Sequence, residues 1–493
     1  MRRILKVASI LGVATLVKIF AGAIRAKFLA CYLGPAGVGV ISQALMYSGL
    51  TIQFCSLNMG MGITKYISES IAEKREDKIP LIINTAGTFQ LAASLLLIAA
   101  VLPFSKDLTK FVFSDSRYWI YFVGITLVTP LALYMIGMAD PIFYGFRKIA
   151  EYTKLMIWYT VATLVILIAA VYFYRVDGVL VQILIVSAIG FGMASYFLKN
   201  KIALAPRIRW GLFKDKESRA VSKQLFKYGL ISFIPANVNM FVILYLRSLF
   251  MKQYSADANG YYQVAYGISA YYLPFVTNGI WGHFYPEMCA LKDNKDINRE
   301  LNQFVRFAVL VSTAIAAGCI IFRKYIILIL FSGQFMKAYD LLAIQAIGDI
   351  FFILFCMFST ALMARKQFKG VILISTIGYN AVLLLSYLTL THFSIIGFRS
   401  LNLSIAFTNL MLVAVYMIYS KYDTGFVLTG NNIARIMKSV VFLGIIYFIP
   451  DVNIGSVIIK IAVGLGWIAL TISKDEARRC AEAVSVYFNK KGK

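Results

Sequence analysis

The first apolar stretch of the chain reads ILKVASILGVATLVKIFAGAIRAKFLACYL and covers residues 4–33. As one α-helix, at about 1.5 Å per residue, it is long enough to cross a hydrocarbon core of roughly 30 Å. It contains Lys18, Arg25 and Lys27, and a lipid-facing cation at mid-span costs about 2.5–3.5 kcal/mol. Lys18 and Arg25 are seven residues apart and therefore share one helix face. We interpret this face as a wall of a watery, anion-binding chamber.

Similar apolar stretches recur along all 493 residues, of which 60% are hydrophobic and 15% are charged. This pattern is typical of an all-α, polytopic integral membrane protein. About fourteen transmembrane helices are predicted, at 4–32, 38–68, 80–104, 118–144, 153–173, 178–198, 226–250, 258–287, 302–322, 338–364, 370–391, 394–419, 432–450 and 454–473. The connecting segments are short, which leaves no room for a separate soluble domain.

The distribution of positive charge predicts the orientation of these helices. With the amino terminus in the cytoplasm, 34 of the 49 lysines and arginines lie in cytoplasmic segments and nine lie on the opposite side. The positive-inside rule therefore places both termini in the cytoplasm. Because topology accounts for most of the formal charge of +26, we expect no nucleic-acid partner. The six cysteines form no Cys-x-x-Cys pair, and we expect no metal site and no cofactor.

A basic connector at 199–225 separates two halves that begin alike. Nineteen residues separate Lys6 from Arg25, and twenty separate Lys227 from Arg247. The next span then opens with GVISQ at 39–43 in one half and with GYYQ at 260–263 in the other. An internal repeat would give this likeness. The predicted domains are an amino-terminal bundle (1–198), the connector (199–225), a second bundle (226–420), two additional helices (421–473) and a cytoplasmic tail (474–493).

Two motifs resemble those of Wzx-type O-antigen flippases. They are YLGPAGVG at 32–39 and LNMGMGITKYI at 57–67. These flippases form the polysaccharide-transport branch of the multidrug/oligosaccharidyl-lipid/polysaccharide (MOP) exporter superfamily. The resemblance implies two pseudo-symmetric six-helix bundles around a central cleft, with two extra helices. It also implies transport of an undecaprenyl-pyrophosphate-linked oligosaccharide across the bacterial inner membrane during lipopolysaccharide biosynthesis. A polysaccharide polymerase and a chain-length regulator are the expected partners.

Arg25 and Arg247 are the first candidates for binding such a pyrophosphate, because a guanidinium offers forked donors to phosphate oxygens. Lys18 is expected as a third contact. Asn237 and Asn239 lie at about the depth of Lys18, so that the lead helices of the two halves would face each other across the cleft. Either arginine could instead extend to the lipid headgroups.

Other polar residues within the spans each allow more than one interpretation. Tyr266 belongs to a tyrosine cluster that could stack on sugars, although an aromatic belt explains part of the cluster equally well. Asp349, the deepest acidic residue, is the candidate for coupling to H⁺ or Na⁺, or else a structural partner of a neighbouring helix. We expect Asp140 at a helix break before Pro141, and Lys65 at the headgroups.

The absence of a G-x-x-x-x-G-K-[ST] motif from the sequence excludes a built-in P-loop ATPase. Three rivals to a flippase remain. An ion-coupled multidrug antiporter would favour an acidic cavity, whereas here cations outnumber acids within the spans. A membrane glycosyltransferase or polymerase would need catalytic carboxylates near a membrane face and a sizeable outer loop. A scaffold for polysaccharide assembly would need no moving cleft. The sequence therefore predicts a transporter and not an enzyme.

Overall fold

A computed structural model describes residues 2–203, 216–393, 396–450 and 453–471. Within these ranges the chain forms 18 α-helices and no β-strand, which confirms the predicted all-α class. The first helices are α1 (Arg2–Cys55), α2 (Gly60–Ala72), α3 (Ile79–Val101), α4 (Ser105–Phe113), α5 (Trp119–Leu133), α6 (Asp140–Gly145), α7 (Ile149–Phe197), α8 (Lys216–Gln253) and α9 (Ala256–Gly279). They are followed by α10 (Tyr285–Ala290), α11 (Asn294–Ile321), α12 (Arg323–Leu330), α13 (Tyr339–Ala364), α14 (Phe368–Val371), α15 (Tyr379–Thr391), α16 (Ser400–Thr424), α17 (Gly430–Phe448) and α18 (Ile454–Thr471).

Short irregular turns extend or join these helices. Single π-helical segments occur at Tyr134–Ala139, Leu198–Ile202, Ile280–Phe284 and Ile372–Gly378. Short 3₁₀ turns occur at Glu76–Lys78, Leu102–Phe104, Ser116–Tyr118, Gly333–Ala338 and Gly397–Arg399. The π segments at 134–139 and 280–284 each lead directly into a helix that has proline at its second position, which cannot donate a backbone hydrogen bond.

Eleven helices in the described ranges are long and apolar enough to cross a membrane. Two of them are interrupted by one residue with a left-handed φ: Thr15–Cys55 by Gly34 (64°) and Ile149–Ile202 by Arg175 (54°). Both interruptions fall between predicted spans, so each long helix supplies two of them. The tyrosine-rich α9 covers most of the remaining one. Each predicted span overlaps helical residues within the described ranges, but the prediction of one helix over 38–68 was wrong, because α1 ends at Cys55 and α2 begins at Gly60. The chain is a multi-pass membrane protein.

The described residues divide into two compact units. The first contains the chain up to Gln263 together with Ile329–Phe335, and the second contains Val264–Leu328 and the chain from Met336 onward. The helix α8, which was predicted to lead the second half, therefore belongs to the first unit. The boundaries predicted for two six-helix bundles stay a prediction, and the predicted tail at 474–493 lies outside the described residues.

Two glycines allow helices of the first unit to touch through their backbones. A Cβ on Gly39 would lie 2.0 Å from the carbonyl oxygen of Ala256, and a Cβ on Gly260 would lie 2.1 Å from that of Pro35. The two contacts are reciprocal, because each glycine meets the residue four positions before the other. Gly39 and Gly260 are also the residues that open the two repeated motifs. The repeat in the sequence therefore corresponds to a paired contact in the structure.

We predict that Gly39→Ala and Gly260→Ala each destabilise the protein by about 2 kcal/mol or more, because the added methyl group overlaps a carbonyl oxygen in a closely packed contact. The measurement is the melting temperature of the purified protein in detergent.

The matched control is Gly192→Ala on α7, where a Cβ would meet no atom within 4 Å. This change should be neutral or slightly stabilising, because alanine favours a helix by up to about 1 kcal/mol over glycine. Equal melting temperatures for all three variants would contradict the close contact.

Candidate functional site

A polar cavity of about 480 Å³ lies in the first unit, where α1 ends and α2 and α6 begin. Helix α1 contributes Ile52 and Gln53, and the turn after it contributes Ser56 and Asn58. The other lining residues are Gly60, Met61, Thr64 and Lys65 of α2, together with Gly137, Asp140, Pro141 and Tyr144. Amide, hydroxyl, carboxylate and ammonium groups therefore share one space among apolar helices.

The backbone of this cavity has an irregular conformation on both sides. Leu57 and Asn58 adopt φ angles of 49° and 51°, a left-handed region that non-glycine residues rarely enter. On the facing side, the π-helical segment Tyr134–Ala139 precedes Asp140, and such segments occur frequently at functional sites. The Thr64 hydroxyl donates to the Pro141 carbonyl oxygen at 3.1 Å and ties α2 to α6. The two irregular segments thus present their polar groups to the same cavity.

Asp140 is the carboxylate of this cavity. It interacts with the Tyr152 hydroxyl and with the positive charge of Lys18, while its buried Oδ1 has no hydrogen-bond partner among the described residues. Lys65 also lines the cavity and lies 3.6 Å from Glu69 on its own helix. Lys18 is exposed on α1. The positive charge of Lys18 on the first span therefore acts on the Asp140 carboxylate through space, and Lys18 is not among the lining residues of the cavity.

Of the other predicted contacts, Arg25 is half-buried on α1 and does not line this cavity. Asn237 is buried, and its Nδ2 donates to the Phe233 carbonyl oxygen at 2.8 Å. Asn239 is half-buried, and Tyr266 is 47% exposed on α9. Their role in binding stays a prediction.

Arg247 of α8 is only 3% exposed and contacts side chains of two other helices. Its Nε donates to Asn259 Oδ1 at 3.0 Å and its Nη2 donates to Ser42 Oγ at 2.5 Å. The guanidinium carbon also lies 5.1 Å from the centre of the Tyr262 ring. These contacts join α8 to α1 and α9, so the forked donors of Arg247 already stabilise the first unit. A contact between Arg247 and substrate stays a prediction.

Asp349 lies in the second unit, within a network of hydrogen bonds, and is 3% exposed. The Tyr272 hydroxyl donates to its Oδ2, and Gln345 Nε2 donates to its Oδ1 at 2.8 Å. Gln345 in turn accepts from Asn402 Nδ2 at 2.9 Å. No lysine or arginine in the described ranges forms an ion pair with Asp349. This carboxylate is therefore stabilised by neutral donors alone.

Sequence reasoning missed that Asp140 and Lys65 line a cavity, and it did not consider Gln53 or Asn58. Asp140 was expected at a helix break, and it does follow the π-helical segment. Lys65 was expected at the headgroups. A signal was present in the LNMGMG stretch from 57 to 62, because a paired glycine motif after an asparagine favours a turn. Only the packing of α2 against α6 brings these residues together.

Comparisons with known proteins give one family and one fold. A family model described as a polysaccharide biosynthesis protein matches residues 28–340. A lipid III flippase of Escherichia coli strain K12 is 24% identical over 368 residues, which cover 73% of this chain and 85% of the flippase.

Two solved structures are similar to the whole fold. A multidrug resistance MATE transporter of the MOP superfamily, in an inward-facing conformation, aligns with a TM-score of 0.68 at 12% identity, over 83% of this chain and 94% of its own. The lipid II flippase MurJ, in an inward closed conformation, aligns with a TM-score of 0.64 at 15% identity, over 95% and 98% of the two chains. At these identities the alignments show a shared fold.

We predict that Arg247→Lys destabilises the protein by about 2 kcal/mol, because one ammonium group cannot replace a guanidinium that bonds Asn259 and Ser42 at once. The check is the melting temperature in detergent.

Arg117→Lys is the control, since the Arg117 side chain is 81% exposed and pairs only locally with Asp115. It should change stability by less than about 0.5 kcal/mol. If Arg247→Lys melts like the wild type, the guanidinium does not hold the three segments together.

Proposed function

The chain belongs to the polysaccharide biosynthesis protein family, as the sequence resemblance predicted, and on this premise we propose that it is a flippase for lipid-linked oligosaccharides. In this proposal it moves an undecaprenyl-pyrophosphate-linked repeat unit across the bacterial cytoplasmic membrane by alternating access and catalyses no covalent step. The similarity to a lipid III flippase supports a lipid-linked cargo. The observation that carries the proposal is the polar cavity among the apolar helices of the first unit, together with the exposed cation Lys18 on the first span.

The pair of Lys18 and Asp140 suits a reversible anion site. Without cargo, the carboxylate of Asp140 partly neutralises Lys18 and lowers the cost of a cation on a membrane span. A pyrophosphate carries more negative charge than one carboxylate and would replace Asp140 as the partner of Lys18. Arg25, two turns further along the same helix, would add a second cation. Release would then follow when Lys18 returns to Asp140.

The cavity beside this pair suits the sugar part of the cargo. Gln53 and Asn58 offer amide donors and acceptors, and Ser56, Thr64 and Tyr144 offer hydroxyl groups. Such groups match the alternating donors and acceptors of sugar hydroxyls. Asn237, Asn239, Tyr266 and Arg247 remain additional proposed contacts.

Asp349 is the proposed coupling residue, with a proton as the coupling ion. The Tyr272 hydroxyl and the Gln345 amide both donate to this carboxylate, and the Gln345 oxygen is engaged by Asn402. A sodium ion would require several oxygen ligands facing it, whereas a proton requires only the carboxylate itself. The arrangement therefore favours H⁺ over Na⁺.

The cellular setting completes the proposal. We place the protein in the bacterial inner membrane with both termini in the cytoplasm, and we propose O-antigen or a related polysaccharide as the product to which the cargo contributes. A polysaccharide polymerase and a chain-length regulator would use the translocated unit.

We predict that Lys18→Ala and Arg25→Ala each reduce export of surface polysaccharide about tenfold or more, because one charge-assisted contact with phosphate contributes about 1.5–3 kcal/mol. Export is measured by complementation of a strain that lacks the gene, at matched membrane abundance of the protein. An antiporter for cationic drugs should instead retain drug export in these variants.

Lys110→Ala is the control. Lys110 is exposed on the short helix α4, and its substitution removes the same charge. Wild-type export by Lys18→Ala and Arg25→Ala would rule out the anion site.

We predict that Asp349→Asn abolishes the dependence of transport on pH while the protein stays folded. Asparagine keeps the size of the side chain and an oxygen that accepts from Tyr272, but it cannot bind and release a proton. Its NH2 group faces the donating Gln345 amide, so the melting temperature should fall. The measurement is transport in proteoliposomes with an imposed pH gradient.

Asp296→Asn is the matched control, since Asp296 pairs with Arg299 on an exposed part of α11. Its transport should follow the pH gradient as in the wild type. Retention of the wild-type pH dependence by Asp349→Asn would eliminate Asp349 as the coupling residue.

A further inference from the structure

A second cavity, of about 740 Å³, lies in the second unit and carries an excess of positive charge. It is lined by four cations, Arg323, Lys324, Lys337 and Arg399, and by one carboxylate, Asp340. Arg399 Nη2 lies 2.5 Å from Asp340 Oδ2, which neutralises one of the four cations. Among the lining residues, the cations therefore outnumber the carboxylate by four to one.

The helices around this cavity add to its attraction for anions. Arg323 begins α12, Tyr339 begins α13 and Arg399 immediately precedes α16, so three helices present their amino-terminal ends to one space. The amino-terminal end of a helix carries a partial positive charge and favours negatively charged groups. These three ends add to the positive charge of the lysines, and the carboxyl-terminal end of α17, which also borders the cavity, opposes them in part.

Arg323 is held rigidly in this arrangement, with 2% of its surface exposed. Its guanidinium carbon lies 3.6 Å from the centre of the Tyr339 ring and 5.2 Å from that of Tyr447. Its Nη2 donates to the Tyr447 carbonyl oxygen at 3.0 Å, at the end of α17. A buried arginine that is stacked between rings keeps its charge in a fixed position at the base of the cavity.

The rest of the wall is apolar and partly open. Phe398, Tyr447, Phe448 and Pro450 line the cavity, and Phe448 is 81% exposed. Cations beside an exposed aromatic surface match a lipid, whose phosphate needs positive charge and whose acyl chains need an apolar surface. A free sugar phosphate would need polar partners in place of Phe448.

We propose that this cavity binds the phosphate of an anionic membrane phospholipid, with Lys324 and Lys337 around the headgroup, Arg323 at the base of the cavity and Phe448 beside an acyl chain. By the predicted topology it lies at the outer ends of the helices. The cavity does not include Lys18, Arg25 or Asp140, which belong to the first unit. The proposed lipid binding does not depend on which cargo the protein carries.

The test compares lipid binding by the full-length protein and two double variants in detergent. Phosphatidylglycerol or phosphatidylcholine with the same acyl chains is added, and binding is followed by the shift in melting temperature and by native mass spectrometry. Lys324→Ala/Lys337→Ala changes two lysines of the cavity, neither of which is buried. Lys106→Ala/Lys110→Ala on α4 removes the same charge from exposed positions of the first unit.

The expected result is that phosphatidylglycerol binds the wild type and the α4 variant alike, and binds Lys324→Ala/Lys337→Ala roughly tenfold more weakly. Binding should weaken in 1 M salt because these lysines are not buried. Equal binding of the two lipids by the wild type, or an equal loss in both variants, would overturn the proposal. An equal shift with inorganic phosphate alone would overturn the assignment to a lipid.

Discussion

The backbone contact between the second apolar segment and the start of α9 is the constraint on which the first unit depends. Gly39 and Gly260 let the two segments approach until carbonyl oxygens occupy the places where side chains would begin. The Asn259 amide donates to the Gly39 carbonyl oxygen at 2.8 Å, and Arg247 bonds Asn259 and Ser42 around the same contact. The helices therefore approach most closely at the place where their polar groups also find hydrogen-bond partners.

This arrangement follows from the requirements of a membrane interior. Lipid offers no hydrogen bonds, so polar groups within the spans must find partners in the protein or in a watery cavity. Arg247 and Asp349 satisfy this requirement in two ways, the first with side-chain acceptors on two helices and the second with neutral donors. Lys18 differs from both because it is exposed on α1. For this reason we assign the proposed anion contact to Lys18.

The same distinction separates the two cavities. The cavity of the first unit combines one carboxylate with amides, hydroxyls and a lysine, a mixture that suits a sugar with a nearby anion. The cavity of the second unit combines several cations with aromatic rings and helix amino-terminal ends, a mixture that suits a lipid phosphate. In the first cavity one lysine accompanies one carboxylate, whereas in the second the cations outnumber the carboxylate. Charge and the surrounding neutral groups together separate the two assignments.

By itself, the sequence determined the all-α class, the apolar segments and the breaks at Gly34 and near Arg175, because hydropathy, chain length and turn residues act locally. It also identified Asp349 as a deep acid and the likeness between residues 39–43 and 260–263. Only the tertiary structure decided which in-span cation is engaged by other helices and which is exposed. In the sequence, Arg247 and Lys18 look equivalent, because both are cations within apolar spans. The structure distinguishes them, since Arg247 bonds Asn259 and Ser42 whereas the charge of Lys18 acts on Asp140. These groups lie on other helices, and the spacing of residues along the chain does not encode how helices pack.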